Sequence, residues 1–189
     1  MADRKHTFVA LLRGINVSGQ HKIPMAQLRS TCTSIGCDDV RTYIQSGNVV
    51  LTSVVPAETL EARLEKAIEK RLGFSIPVIV RSASTWGRYV RNNPLPDEAK
   101  KEPNRVLLAL SKLRPKADAA AELQHRATQG ERVLKRGDAI WIHYASGIGR
   151  SKLTPAVLDR YVGSPVTARN WRTVVSRIVS SFVSRVNSR

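Results

Sequence analysis

The sequence predicts an α+β protein made of two consecutive βαββαβ units followed by a C-terminal helix. Three observations predict this fold: apolar runs typical of strands alternate with apolar stripes at helical spacing, turn residues separate them, and the same order of elements occurs twice. A chain of 189 residues with 42% hydrophobic residues is long enough to bury one large core or two small ones. We therefore expect an ordered chain.

The first unit is predicted at residues 1–81. Its four strands are apolar runs rich in strand-forming residues, at 7–12, 40–45, 48–52 and 76–80. Its two helices carry their apolar residues on one stripe and are each followed by a glycine, at 24–35, with Pro24 at the first helical position, and at 57–72. Between the second and third strands, Ser46-Gly47 has the length and composition of a tight hairpin turn. The order of elements is therefore βαββαβ.

The second unit is predicted at 105–168, after a linker at 82–104 that contains a short helix and a run of Asn and Pro residues. Its strands are predicted at 106–110, 132–135, 139–144 and 165–168, and its helices at 117–126 and 153–161. A terminal helix is predicted at 169–189. Its apolar face is formed by Trp171, Val174, Ile178 and Phe182. The repetition is one of element order, not of residues.

The first strand is apolar on both faces, since Phe8, Ala10 and Leu12 alternate with Val9 and Leu11. A strand covered on one face only would show polar residues in alternation. We therefore expect a cover for the second face, with the second unit or the terminal helix as candidates. This predicts that the two units pack together as one body.

The net charge of +16 is unevenly spread along the chain. Residues 1–100 hold 14 Lys and Arg against 9 Asp and Glu, giving +5, whereas residues 101–189 hold 17 against 6, giving +11. Such a charge attracts polyanions such as nucleic acid or anionic lipid. The alternative of a merely solvated basic surface stays open.

The loop after the first strand, Arg13–Lys22, contains two glycines and leads into a helix. It is not a P-loop, because Gln20 and His21 stand where that motif needs Lys followed by Ser or Thr. Backbone N–H groups ahead of a helix, with Arg13 and Lys22 nearby, favour an anion. The alternative, that the glycines serve turns only, stays open.

The hairpin turn supplies three more polar side chains, Gln45, Ser46 and Asn48. In a βαββαβ sheet this turn lies at the edge where the first strand ends, so we expect it near Arg13 and Gly14. Its side chains either hydrogen-bond a ligand or pin the turn.

The second unit has a polar edge of its own, where its third and fourth strands end. Ser151 and Asn170 are typical of helix N-caps. Lys152 and Arg169 would surround these helix starts with positive charge, which favours an anion. Trp171, at stripe spacing, is interpreted as a core residue.

The sequence disfavours several kinds of site. Cys32 and Cys37 lie five residues apart, which matches neither a C-x-x-C motif nor a zinc site, so they are interpreted as structural thiols and no metal or cofactor is expected. Carboxylates are scarce around the polar motifs, which disfavours a carboxylate base. The RNA recognition motif stacks bases on neighbouring aromatic residues, but Trp141 and Tyr144 lie three apart and face opposite ways.

The apolar run near the start of the chain, Phe8–Leu12, is too short for a signal-peptide core or a membrane span. The expected location is therefore cytoplasmic, with no membrane partner.

Three motifs resemble those of the family of the domain of unknown function 1697 (DUF1697). They are Ala10–Val17, Thr42–Val50 and Thr167–Val174, and Ser151-Lys152-Leu153 fits the same pattern. The resemblance runs from about residue 6 to 182. It implies a bacterial protein of paired ferredoxin-like units, and it implies no activity.

The leading hypothesis is that polar residues of both units line one cleft between them and bind a small anionic ligand, such as a nucleotide or a sugar phosphate. These residues are Arg13, Asn16, Lys22, Gln45, Ser46 and Asn48 in the first unit and Ser151, Lys152, Arg169 and Asn170 in the second. Two alternatives stay open: a basic nucleic-acid-binding module without base stacking, and a structural or interaction protein. The sequence assigns neither an enzymatic activity nor an oligomeric state.

Overall fold

The computed structural model describes residues 4–16 and 21–176. The chain divides into two compact units, of which unit 1 includes the residues up to Arg91 and unit 2 spans Asn92–Ser176. Each unit contains a four-stranded antiparallel sheet with helices, which confirms the predicted α+β class of two similar units. Among the described residues, no helix has the length and apolarity needed to cross a membrane.

Unit 1 has the predicted βαββαβ order, followed by one more helix from the segment that was predicted as a linker. Its elements are β1 His6–Leu12, α1 Met25–Ser34, β2 Asp38–Tyr43, β3 Asn48–Ser53, α2 Ala57–Leu72, β4 Val78–Ser82 and the additional helix α3 Ala83–Arg91. The strand order is β2-β3-β1-β4, and every neighbouring pair is antiparallel. The hairpin turn is longer than predicted, because β2 and β3 stop pairing at Tyr43 and Asn48 and leave Ile44–Gly47 as a four-residue turn.

The helix-side core of unit 1 lies between its sheet and the helices α1 and α2. Leu60, Leu64 and Ile68 recur every four residues along α2 and are fully buried, as the stripe predicted. The helix ends at Gly73, whose φ of 77° and N–H bond to Glu69 O are typical of a C-cap. Val9 and Leu11, on the other face of β1, are also buried.

Helix α2 closes the outer edge of β4 with two carboxylates one helical turn apart. Glu65 Oε1 accepts from the backbone N–H of Val78 at 2.9 Å, and Glu61 Oε1 accepts from that of Val80 at 2.7 Å. In unit 2, Asp159 does the same for Val166 at 2.8 Å. Edge N–H groups would otherwise offer a template for another strand.

Unit 2 repeats the same topology. Its elements are α4 Pro96–Lys101, β5 Val106–Ser111, α5 Ala119–His125, β6 Arg132–Arg136, β7 Ala139–His143, a short 3-10 turn Ile148–Arg150, α6 Pro155–Val162, β8 Val166–Asn170 and α7 Trp171–Val174. The strand order is β6-β7-β5-β8, again fully antiparallel. Of the predicted terminal helix the structure describes α7, while Ile178 and Phe182 lie outside the described residues.

The two aromatic residues at the end of β7 point to opposite faces of the unit 2 sheet. Tyr144 packs in the helix-side core, whereas Trp141 lies against Trp171 with ring centroids 5.7 Å apart. Trp171 is half-buried. The opposite orientation predicted for Trp141 and Tyr144 is therefore confirmed.

Candidate functional site

The end of the unit 1 sheet where β1 ends brings three segments together. Neighbouring strands are antiparallel, so the same end of the sheet contains the end of β1, the turn after β2 and the start of β4. The N–H of Leu12 donates to the carbonyl of Gly47 at 2.9 Å, and the N–H of Arg13 donates to that of Pro77 at 3.0 Å. The first polar loop and the hairpin turn are therefore neighbours, as the topology predicted.

The side chain of Asn16 ties this loop to the turn. Its Nδ2 donates to the Gln45 carbonyl at 2.7 Å and to the Ile23 carbonyl at 3.2 Å, and its Oδ1 accepts from the Ile23 N–H at 2.9 Å. All three bonds go to backbone groups of the same unit. Asn16 is therefore a bracing residue.

Asn48 holds the turn itself. The residue is 2% exposed, and its Nδ2 donates to the Tyr43 carbonyl at 3.2 Å and to Ser46 Oγ at 2.8 Å. The sequence left two interpretations open for Asn48, binding a ligand or holding the turn. Both of these bonds hold the turn. The side chain of Gln45, by contrast, is exposed.

Left-handed backbone is concentrated at this end of the sheet. Four non-glycine residues have a positive φ among those described, and three of them lie here: Asn16 at 55°, His21 at 46° and Ile44 at 48°. Asn and His tolerate this conformation, but a β-branched residue is a genuine outlier. Ile44 is 53% exposed, so burial does little to offset its strain. Strained residues of this kind cluster at functional sites.

We expect Ile44→Asn to raise the free energy of unfolding by about 1 kcal/mol, because Asn adopts a positive φ at lower cost and the exposed isoleucine loses little burial. Urea unfolding would show a higher midpoint with an unchanged slope. Ile44→Val, which keeps the β-branch, is the matched control and should behave like the wild type. An Asn variant that is less stable than the Val variant would contradict a strained Ile44.

Two cations flank the base of the loop. Arg13 is half-buried and Lys22 is exposed. Between them, the Asn16 N–H donates to the His21 carbonyl at 3.2 Å, and the His21 ring packs on Phe74 with centroids 4.7 Å apart. The positive charges are thus carried on a braced segment of backbone.

In unit 2, the polar edge is organised around a buried carboxylate. Ser151 Oγ donates to the Glu131 carboxylate and accepts from the Leu153 N–H at 3.1 Å. The prediction that Ser151 caps a helix is wrong, because α6 begins later and Thr154 is its N-cap, accepting from the Val157 N–H. Lys152 is exposed.

Glu131 was missed by the sequence analysis. It is 3% exposed, and its carboxylate also accepts from the Gln129 N–H at 2.7 Å. Burial alone would raise the pKa of Glu131, but the hydrogen bonds from Ser151 and from backbone N–H groups outweigh it and lower that pKa. Burial and the neighbouring Glu131 raise the pKa of Tyr144 to about 12. Strand topology could have indicated this position: the start of β6 lies beside the end of β7, so Glu131, just before β6, is expected near the polar residues that follow β7.

The lowered pKa of Glu131 predicts an acid-dependent contribution to stability. Its ordinary value is 4.5, so the contribution is fully present above that pH and is lost as the pH falls through the lower folded-state pKa. Glu131→Gln should therefore be less stable than the wild type near neutral pH, and the difference should shrink below about pH 4.5. Urea unfolding across this range measures it. A difference independent of pH would contradict the assignment, and Ser151→Ala should reduce the pH dependence.

Asn170 and Arg169 lie at the end of β8. Asn170 Oδ1 accepts from the Thr173 N–H at 2.9 Å, so Asn170 is an N-cap, as predicted. Arg169 is half-buried, and Nη1 donates to Thr167 Oγ1 at 2.8 Å and to the Ala168 carbonyl at 2.9 Å. Burial lowers the pKa of Arg169 to about 10, which leaves it charged at neutral pH.

The thiols are both free and buried. Burial raises the pKa of Cys32 to about 12 and that of Cys37 to about 11, so both are protonated at neutral pH and poor nucleophiles. Within residues 4–16 and 21–176, no group of three or more His, Cys, Asp or Glu side chains is placed to hold a metal ion.

Comparison with known proteins gives a family and a fold. The model of the family described as "Protein of unknown function (DUF1697)" matches residues 6–141. The solved structure of the conserved bacterial protein SP0830 from Streptococcus pneumoniae matches 95% of this chain and 99% of its own, with a TM-score of 0.72 and 21% sequence identity. At that identity the likeness shows the fold alone. No curated protein matches the chain.

Proposed function

Because the chain belongs to the DUF1697 family of proteins of unknown function, we propose a function from its own residues: binding of a small phosphate-bearing anion at the end of the unit 1 sheet where β1 ends. The observation that carries this proposal is the convergence of three left-handed non-glycine residues, Asn16, His21 and Ile44, beside Arg13 and Lys22. Strained backbone clusters at functional sites, and the two positive side chains beside it favour an anion as the ligand.

The proposal divides the residues of this end into two roles. Arg13, Lys22 and Gln45 would contact the anion, since two of them are charged and Gln45 is exposed. Asn16, Ser46 and Asn48 would hold the loop and the turn. A hydrogen bond to a charged group contributes about 1.5–3 kcal/mol, so each cation accounts for roughly a 10- to 100-fold change in affinity.

Isothermal titration with inorganic phosphate, pyrophosphate and ATP tests this proposal. The double variant Arg13→Gln/Lys22→Gln should bind the preferred anion at least about 100-fold more weakly than the wild type. The matched control, Arg63→Gln/Lys66→Gln on α2, removes the same charge from exposed positions of the same unit. Equal losses in both variants, or no binding of any of the three anions, would reject the proposal.

The four unit 2 residues predicted to bind an anion form a separate proposal at the end of β8. Lys152 is exposed and Arg169 is charged, which supports it. Ser151 and Asn170 already hydrogen-bond backbone groups of their own unit, so their part in it would be to brace the site.

A second candidate function is nucleic-acid binding by unit 2 in a bacterial cytoplasm. The observation that favours it is a concentration of cations where β5 ends. Because Trp141 and Tyr144 point to opposite faces, binding would act through phosphates and not through stacking on the sheet.

A further inference from the structure

Five cations of unit 2 lie at the end of its sheet where β5 ends, a surface called here the basic end. They are Lys112, Arg114 and Lys116 in the loop after β5, with Lys135 and Arg136 at the end of β6. The strand register brings them to one edge, because Ala139 pairs with both Leu110 and Arg136.

Lys135 joins the two parts of the basic end directly. Its ammonium donates to the Lys116 carbonyl at 2.9 Å and to the Pro115 carbonyl at 3.3 Å. Three carboxylates lie at this end: Asp118 and Asp138 are close in sequence, and Asp159 is bonded to the N–H of Val166, which pairs with Ser111 at the end of β5. The local charge is therefore five minus three, or +2.

The loop of the basic end is fixed to the segment before β8. The N–H of Lys112 donates to the Pro165 carbonyl at 3.1 Å, the N–H of Leu113 to Ser164 Oγ at 3.1 Å, and the N–H of Lys116 to the Val162 carbonyl at 3.3 Å. Its cations therefore lose little backbone freedom when they bind, which favours affinity.

This fixed loop holds Leu113 in solvent. At 65% exposure, Leu113 is the most exposed large hydrophobic residue in the part of the chain that the structure describes. It lies between Lys112 and Arg114 and adds little to the core. An apolar side chain between two cations matches a partner that presents both phosphates and apolar surface.

We propose that the basic end docks on the phosphate backbone of a single-stranded nucleic acid, with Leu113 against an unpaired base or sugar. This inference rests on the second candidate function, nucleic-acid binding by unit 2. A single strand offers regularly spaced phosphates and exposed base faces. A membrane surface is a poorer match, because peripheral binding needs a broad apolar face and the basic end has one such side chain.

The test measures how binding to a fluorescein-labelled 20-nucleotide poly(U) depends on salt concentration, with fluorescence anisotropy as the readout. On single strands, each phosphate contact contributes about −0.7 to the slope of log affinity against log salt concentration. If all five cations contact phosphates, the slope should therefore be about −3.5. The variant Arg114→Gln/Lys116→Gln/Arg136→Gln, at three exposed positions, should flatten the slope by about 2 and weaken binding at least about tenfold.

The matched control, Lys100→Gln/Lys101→Gln/Arg172→Gln, removes three exposed charges of the same unit outside the basic end. It should keep the wild-type slope. Wild-type protein that does not bind poly(U) would reject nucleic-acid binding itself. Binding that both variants weaken equally would retain that function and overturn the basic end as its surface. A third outcome is that the wild type binds vesicles of anionic lipid but not poly(U), and that Arg114→Gln/Lys116→Gln/Arg136→Gln abolishes vesicle binding. This outcome would assign the basic end to a membrane surface instead.

Discussion

Gly47→Ala is expected to lower the free energy of unfolding by about 2–5 kcal/mol. Gly47 has a φ of 73°, and an added Cβ would lie 2.8 Å from Leu12 Cβ and 2.9 Å from Ile15 Cδ1. The left-handed backbone costs about 1–2 kcal/mol for alanine, and overpacking a close contact costs about 1–3 kcal/mol more. Both neighbours are buried, so neither can move aside easily. Urea unfolding measures the loss.

Gly14→Ala is the matched control for this prediction. Gly14 also has a positive φ, of 64°, but nothing lies within 4 Å of an added Cβ. Only the cost of the left-handed backbone applies, so a loss of about 1–2 kcal/mol is expected. Equal losses in the two variants would contradict the claim that the turn needs glycine at position 47 because it packs closely against Leu12 and Ile15.

The order of strands and helices could be predicted because it depends on periodicity, which is local in the sequence. The stripe of Leu60, Leu64 and Ile68 and the glycine after it are enough to define α2. The turn after β2 was predicted two residues too short, because nothing local indicates that Ile44 adopts a left-handed conformation. Propensity favours strand for isoleucine, and tertiary context overrides it here.

Helix α4 lies within 82–104, the segment that the sequence predicted as a linker. Its charges are ordered for a helix, with Pro96 at the first position, acidic residues in the first turn and lysines in the last. It has only six residues and one buried side chain, Ala99, so it carries no apolar stripe to detect. Short helices of this kind are visible only through their ends.

The candidate site was predictable in position but not in role. Strand topology places the first loop beside the hairpin turn, and the bond from Leu12 to Gly47 agrees with it. Whether an Asn side chain faces a ligand or a carbonyl depends on a few ångströms of backbone, which no pattern encodes. Glu131 was missed for a related reason, since its partner Ser151 is twenty residues away.

Asn16 shows most directly how a polar residue of these motifs braces the loop, and substitution tests that role. Asn16→Ala removes three hydrogen bonds to backbone and places alanine at a φ of 55°. A loss of about 2.5–5.5 kcal/mol is expected, because each of the three bonds contributes about 0.5–1.5 kcal/mol and the conformation about 1 kcal/mol. Denaturant unfolding gives the value.

Asn16→Gly separates the hydrogen bonds from the backbone term, since glycine accepts a positive φ. It should still lose about 1.5–4.5 kcal/mol if Asn16 braces the loop, and a variant as stable as the wild type would contradict that role. Comparison with Lys22→Gln then separates an effect on stability from an effect on phosphate binding. Lys22 is exposed, so its substitution should weaken phosphate binding without changing the unfolding midpoint. Asn16→Gly should change both, because the loop that carries Arg13 and Lys22 depends on the bonds that Asn16 makes.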